Sequence, residues 1–104
     1  VIDRIGALEG DRSELLGHSL SGNLFVEPYL VTLLPGAGPY VTFQHPGLKF
    51  LHFLSGAVTY RRGSKSVEVG AADTLLFDAT VLHGIEAILS GPVSYLSVVF
   101  TLRD

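Results

Sequence analysis

From Ser19 to Leu102 the chain alternates short apolar or aromatic segments with turns rich in Gly, Pro, Asn and Asp. The segments are Leu24 to Val26, Pro28 to Leu34, Pro39 to His45, Phe50 to Leu54, Ala57 to Arg61, Ser66 to Val69, Thr74 to Phe77, Leu82 to Leu89 and Val93 to Leu102. Their β-branched and aromatic content predicts strands, and the spacing leaves no room for crossover helices, so the pairing must be antiparallel. Short strands in this number expose many edges, which closure into a barrel or a two-sheet jelly roll removes. The expected fold is therefore all-β, with a small closed barrel over residues 19–104. Residues 1–18 read as a connecting arm in which Asp11 or Ser13 can cap one short turn of helix before Glu14-Leu15-Leu16.

Two segments carry the most information. In Tyr40 to His45, period-two geometry puts Val41, Phe43 and His45 on one face and Thr42 and Gln44 on the other. After the Pro46-Gly47 turn, Lys49, Leu51 and Phe53 share one face, while Phe50, His52 and Leu54 share the opposite one. Both faces of that strand are largely apolar, which predicts cover on both sides: a barrel interior on one, a second sheet or partner subunit on the other.

Composition narrows the function. The 104 residues are 47% hydrophobic and 16% charged, enough to fill one core and leave apolar surface for a partner copy, so a homodimer is expected. Seven Lys and Arg against ten Asp and Glu give a net charge of -3, which argues against direct nucleic-acid binding by this region. The basic cluster Arg61, Arg62 and Lys65 reads as a solvated hairpin tip. Cysteine is absent, which removes disulfides, thiolate nucleophiles and sulfur-ligated metals and suits the cytoplasm. No apolar run reaches the roughly 20 residues that cross a bilayer as a helix, so no membrane partner is expected. A Ser94, His83 and Asp73 triad can be assembled on paper, but no Gly-x-Ser-x-Gly elbow surrounds Ser94.

The stretch His45-Pro-Gly-Leu-Lys-Phe-Leu-His-Phe-Leu-Ser-Gly56, followed by Ala57-Val-Thr-Tyr60, resembles the first motif of the cupin superfamily. Val69-Gly-Ala-Ala-Asp-Thr-Leu-Leu-Phe-Asp-Ala-Thr-Val-Leu-His-Gly84 resembles the second. The resemblance implies a double-stranded β-helix, the jelly-roll barrel of that superfamily. It also implies a divalent metal held by two histidines and a glutamate of the first motif and one histidine of the second. In this sequence Phe43 stands in the first histidine position, His45 matches the second, Lys49 stands for the glutamate and His83 matches the last. Phe cannot ligate and a protonated Lys repels a cation, so no cofactor is expected. The alternative is a divalent metal at a degenerate site of His45 and His83, assisted by Asp78 or Glu86.

The candidate ligand pocket is accordingly Phe43, His45, Lys49, Leu51 and His83, with no catalytic residue assigned. Two imidazoles can orient a polar ligand in an apolar cavity, and the Lys49 ammonium favours an acidic organic one. His52 is expected in an intersheet or subunit contact, His18 at the surface or interface, and Tyr40 or Tyr60 within reach of the cavity mouth. Pro28 to Pro35, Phe77 to Gly84 and Val93 to Val99 further resemble the C-terminal cupin domains of XRE-type helix-turn-helix bacterial regulators. That resemblance implies a non-catalytic, small-molecule-sensing and dimerising domain that reaches DNA only through a region outside this chain. The start at Val1 is compatible with such a region upstream. The competing expectation is a stand-alone small cupin enzyme, a metal-dependent oxygenase or isomerase.

Overall fold

The computed structural model describes residues 11–17, 19–34 and 42–102. Seven strands run in chain order: β1 (Asp11–Leu15), β2 (Ser19–Ser21), β3 (Leu24–Leu33), β4 (Leu48–Arg62), β5 (Lys65–Gly70), β6 (Thr74–Asp78) and β7 (His83–Leu102). All pairings are antiparallel. Position His18 and the predicted strand residues 39–41, Tyr40 among them, lie outside the described residues. From 42 to 45, only Phe43 joins a ladder, through an isolated bridge to His83.

The expected closed jelly-roll barrel is not formed. Among the described residues the strands make one sheet in the order β1-β3-β7-β4-β5, with β2 added to β3 and β6 to β4, and the end strands β1 and β5 are not paired with each other. The reason lies in strand length. Breaks expected at Glu27, at Ser55-Gly56 and at Ser90-Gly91-Pro92 are bridged, so β3, β4 and β7 each run through two predicted segments. Long strands let β4 and β7 pair with each other from Leu48↔Phe100 to Arg62↔His83 and extend one ladder. Four register shifts between Phe53 and Tyr60 absorb the expected breaks as bulges, which bend a sheet without ending it. The proposed helical turn at Glu14 is likewise absent, because residues 11–15 pair along β3 as a strand.

One face of this bent sheet is buried. Tyr29, Val31 and Leu33 of β3, Leu51, Phe53, Val58 and Tyr60 of β4, and Val93, Tyr95 and Val99 of β7 form a single apolar cluster. Their alternation follows the period of two, so every second residue contributes and its neighbours face outward. Phe53 stacks on Tyr95 with ring centroids 4.8 Å apart. Tyr60 meets Phe77 of β6 at 5.9 Å, which ties the far half of β4 back to its near half. No described helix is long and apolar enough to cross a membrane.

Gly47 sets where β4 begins. Its φ is 113°, a left-handed value that side chains resist, and a Cβ there would collide with the Phe100 carbonyl on β7. Gly63, at the β4–β5 turn, has φ 64° but open space around it. Gly47→Ala is therefore expected to cost more than about 3 kcal/mol or abolish soluble folding, against about 1 kcal/mol for Gly63→Ala. Urea unfolding of the two variants side by side checks the contrast, and equal losses would refute it.

Candidate functional site

Apart from Ser97 and the tyrosine hydroxyls, the polar side chains buried on the inner face gather at one end. Lys49 lies there, two residues before Leu51, and is 2% exposed. Strand pairing places it between Val99 of β7 and Phe77 of β6. His83, fully buried, opens β7 and is fixed twice. Its backbone exchanges hydrogen bonds with Phe43 at 2.7 and 3.0 Å, and its Nδ1–H donates to the Val81 carbonyl at 2.8 Å. That bond assigns the tautomer, leaving Nε2 as an acceptor. The Lys49 amine donates to it at 3.4 Å.

Aromatic rings close around this pair. The Lys49 Nζ stands 4.8 Å from the centre of the Phe43 ring, a cation–π distance. Phe77 meets His83 edge-on at 5.0 Å, and His45 does so at 5.7 Å. His45 is held by its backbone N–H to Ala79 and by its Nδ1 against the Pro46 carbonyl at 3.2 Å. Its Nε2 is buried with no hydrogen-bond partner. The structure thus brings together Phe43, His45, Lys49 and His83, while Leu51 lies one step deeper in the apolar core. A depression of about 290 Å³ lined by Arg62, Leu76, Phe77, Asp78 and Val81 shares Phe77 and Val81 with the surroundings of His83.

Burial controls the protonation of both basic groups. Lys49 is lowered from 10.5 to about 7 by desolvation, so its amine sits between charged and neutral at neutral pH. His83 falls to about 4, first through desolvation, then through the charge of Lys49, with the Val81 bond opposing and His45 adding a little. It stays a neutral acceptor over the physiological range.

Other candidates do not converge here. Asp78 is exposed and accepts from the Thr80 N–H and hydroxyl, which lowers its pKa. Glu86 accepts from the Ser66 hydroxyl at 2.5 Å, and Asp73 from the Gly70 N–H at 2.8 Å in its turn. Ser94 faces away from the buried face that holds its neighbours Val93 and Tyr95, so the serine triad is not assembled. His52 pairs with the Thr74 hydroxyl at 2.9 Å on the outer face. Tyr60 is buried in the core with its pKa raised by desolvation and by Tyr95.

The donor set does not fit a divalent cation. Phe43 offers no donor, and the Lys49 amine occupies the lone-pair side of His83 Nε2, the atom that would ligate. Among the described residues no group of three or more His, Asp or Glu is arranged to hold a metal.

The sequence reading missed Glu27. It is 2% exposed on the same face, where the Tyr29 hydroxyl donates to its Oε2 at 3.3 Å. The signal was available: Phe25, Glu27, Tyr29, Val31 and Leu33 alternate without interruption, but splitting the strand at Glu27 hid it.

A bent antiparallel sheet with two motif histidines and a buried lysine on its concave face defines the class as a cupin-like domain. The Cupin domain family matches residues 29–99, and the chain belongs to that family. In solved structures the chain is similar to an HTH_3 family transcriptional regulator from Vibrio cholerae, with TM-score 0.75 and 16% identity. That match covers 90% of this chain and 52% of the regulator, so the chain spans about half of the regulator's length. It is similar also to the Cupin_2 domain of an XRE family transcriptional regulator from Enterobacter cloacae, with TM-score 0.74 and 14% identity over 92% of this chain and 100% of that one. KdgF from Halomonas sp. matches with TM-score 0.74 and 14% identity over 99% of this chain and 88% of that one. No curated protein matches the chain significantly in sequence.

A buried amine with a depressed pKa makes folding pH-dependent. The unfolded state binds more protons between about 7 and 10.5, so the cost of Lys49 is full below pH 7 and is relieved as pH rises towards 10.5. Lys49→Met is expected to stabilise the domain at pH 6 by on the order of 4 kcal/mol, with the gain fading by pH 10. Thermal unfolding of both proteins across pH 6 to about 10 measures it, and a pH-independent difference would contradict the burial argument.

Proposed function

We propose that this domain is the ligand-sensing and dimerising part of a cytoplasmic transcription regulator, that it is non-catalytic, and that it takes a small carboxylic acid. The observation that carries the reading is the buried Lys49 amine, 3.4 Å from the His83 Nε2 acceptor and beside His45. An anionic group entering there would favour the charged amine and accept hydrogen bonds from it. The apolar rings of Phe43 and Phe77 supply the rest of a ligand environment. Similarity in fold to the domains of two regulators supports, at the level of architecture, placing the site in a protein that reaches DNA through another region.

The opposite face of the sheet supports the dimerisation part of this reading. Leu48, Leu54, Leu76 and Leu102 are exposed there, with Phe50 and Phe100 half-buried between them. An apolar surface of this kind is uncommon on a small monomer, and a second copy presenting the same face satisfies it with two-fold symmetry. Light scattering is expected to give a dimer, and Leu76→Glu a monomer that keeps the fold. A wild-type monomer at micromolar concentration would refute the interface.

The ligand reading is tested by titrating a panel of small carboxylic acids calorimetrically. Because the anion selects the charged amine, affinity should hold steady below about pH 6 and fall about tenfold between pH 6 and pH 8. Lys49→Met should remove binding. Affinity that is indifferent to both pH and this substitution would sink the proposal. A native polypeptide carrying a helix-turn-helix segment ahead of Val1 supports the regulator half of the reading, and one without it overturns that half.

A further inference from the structure

Lys49, His83 and His45 do not exhaust the polar groups on the inner face. Among the described residues, three buried side-chain atoms have no hydrogen-bond partner: Glu27 Oε1, Thr101 Oγ1 and His45 Nε2. All three fall at the same end of the sheet. Glu27 and Lys49 flank Val99 in register, Glu27↔Val99 on one side and Lys49↔Val99 on the other. Strand spacing puts their Cα atoms about 9–10 Å apart in one row. Thr101, two residues beyond Val99 on the same face, packs its backbone against Gly47, the residue midway between His45 and Lys49.

Leaving a buried acceptor unbonded costs about 1–3 kcal/mol, and nearly every buried polar group in a folded protein is bonded. Three such atoms gathered at one end of a largely apolar face mark a place where the bonding groups of a ligand can arrive. The chemistry at the two sides differs. The Lys49 side presents an amine, which suits an acid, whereas the Glu27 side presents a carboxyl oxygen and a hydroxyl, which suit a donor.

We infer that Glu27 and Thr101 form a second subsite that accepts a hydrogen bond from a ligand hydroxyl or ammonium, so that the ligand is a hydroxy acid or an amino acid lying across Val99. This rests on the acid site at Lys49. Tyr29, donating to Glu27 Oε2, holds the carboxyl group so that Oε1 is the atom offered to the ligand.

Calorimetry with matched probes tests it: γ-hydroxybutyrate and γ-aminobutyrate against butyrate, and ε-hydroxyhexanoate and ε-aminohexanoate against hexanoate. In at least one series the donor-bearing acid should bind about tenfold or more tightly than its plain counterpart. The series that separates, hydroxyl or amine, identifies the donor. Glu27→Leu should abolish the preference while the plain acid still binds, and Thr101→Val, a near-isosteric change, should reduce it even where the Glu27 variant does not fold. Equal affinity for plain and donor-bearing acids overturns the subsite and leaves the acid site standing. A preference that survives both substitutions also overturns it. Failure of every acid to bind overturns the subsite together with the site it rests on.

Discussion

The long antiparallel pairing of β4 with β7 is the constraint on which the rest of the molecule depends. Lys49 pairs near one end of that ladder and His83 at the other, and a straight strand would separate them by about 43 Å. The greatest extent of the molecule is only 40 Å, and the two side chains touch. The bulges between Phe53 and Tyr60 turn the ladder enough for its ends to meet. The bridge between Phe43 and His83 then fastens the start of β7 to the segment leading into β4. Curvature therefore does two jobs at once, since it encloses the apolar core and it assembles the polar cluster from residues far apart along the strands.

Within that enclosure, stability and chemistry oppose each other. Tyr29, Val31, Phe53, Tyr95 and Val99 bury apolar surface, the favourable contribution to folding. At the polar end, desolvation holds Lys49 and His83 towards their neutral forms, and among the described residues three buried polar side-chain atoms lack bonds. Apolar residues of similar volume would pack there at lower cost. A domain that keeps an amine, two imidazoles and a carboxyl group in this place carries a local cost that a bound acid with a donor group would offset. The separation of costs in space, core at one end and polar groups at the other, lets the sheet tolerate them.

Much of this was legible in the sequence because strand periodicity is local. The alternation around Lys49, Leu51 and Phe53 predicted their shared face, and the two histidine-bearing motifs predicted which residues meet beyond the reach of periodicity. The barrel was not legible, because closure depends on whether strand ends pair with each other, and bulges at Ser55-Gly56 and near Ser90 replaced expected turns with bends. Glu27 escaped for a related reason. A charged residue before a proline reads as a strand boundary, whereas here Pro28 faces outward in mid-strand and β3 runs through both. The strand at residues 11–15 was hidden by its polarity, since nothing in its composition announces a sheet edge.

That polar edge has a consequence for how the molecule meets its own kind. An open sheet offers two rows of unsatisfied backbone groups, and strand addition from another molecule is the standing hazard of such edges. β1, at one end, has three ionisable residues among its five, and β5, at the other, carries Lys65 and Glu68. An incoming strand would have to take water from the exposed Lys65 and Glu68 side chains, so growth by addition at β5 is penalised. The exposed leucines Leu48, Leu54, Leu76 and Leu102 lie elsewhere, on the flat of the sheet and not along its edge. An architecture that keeps charge on its rim and apolar surface on a face separates any contact made through the face from growth by strand addition.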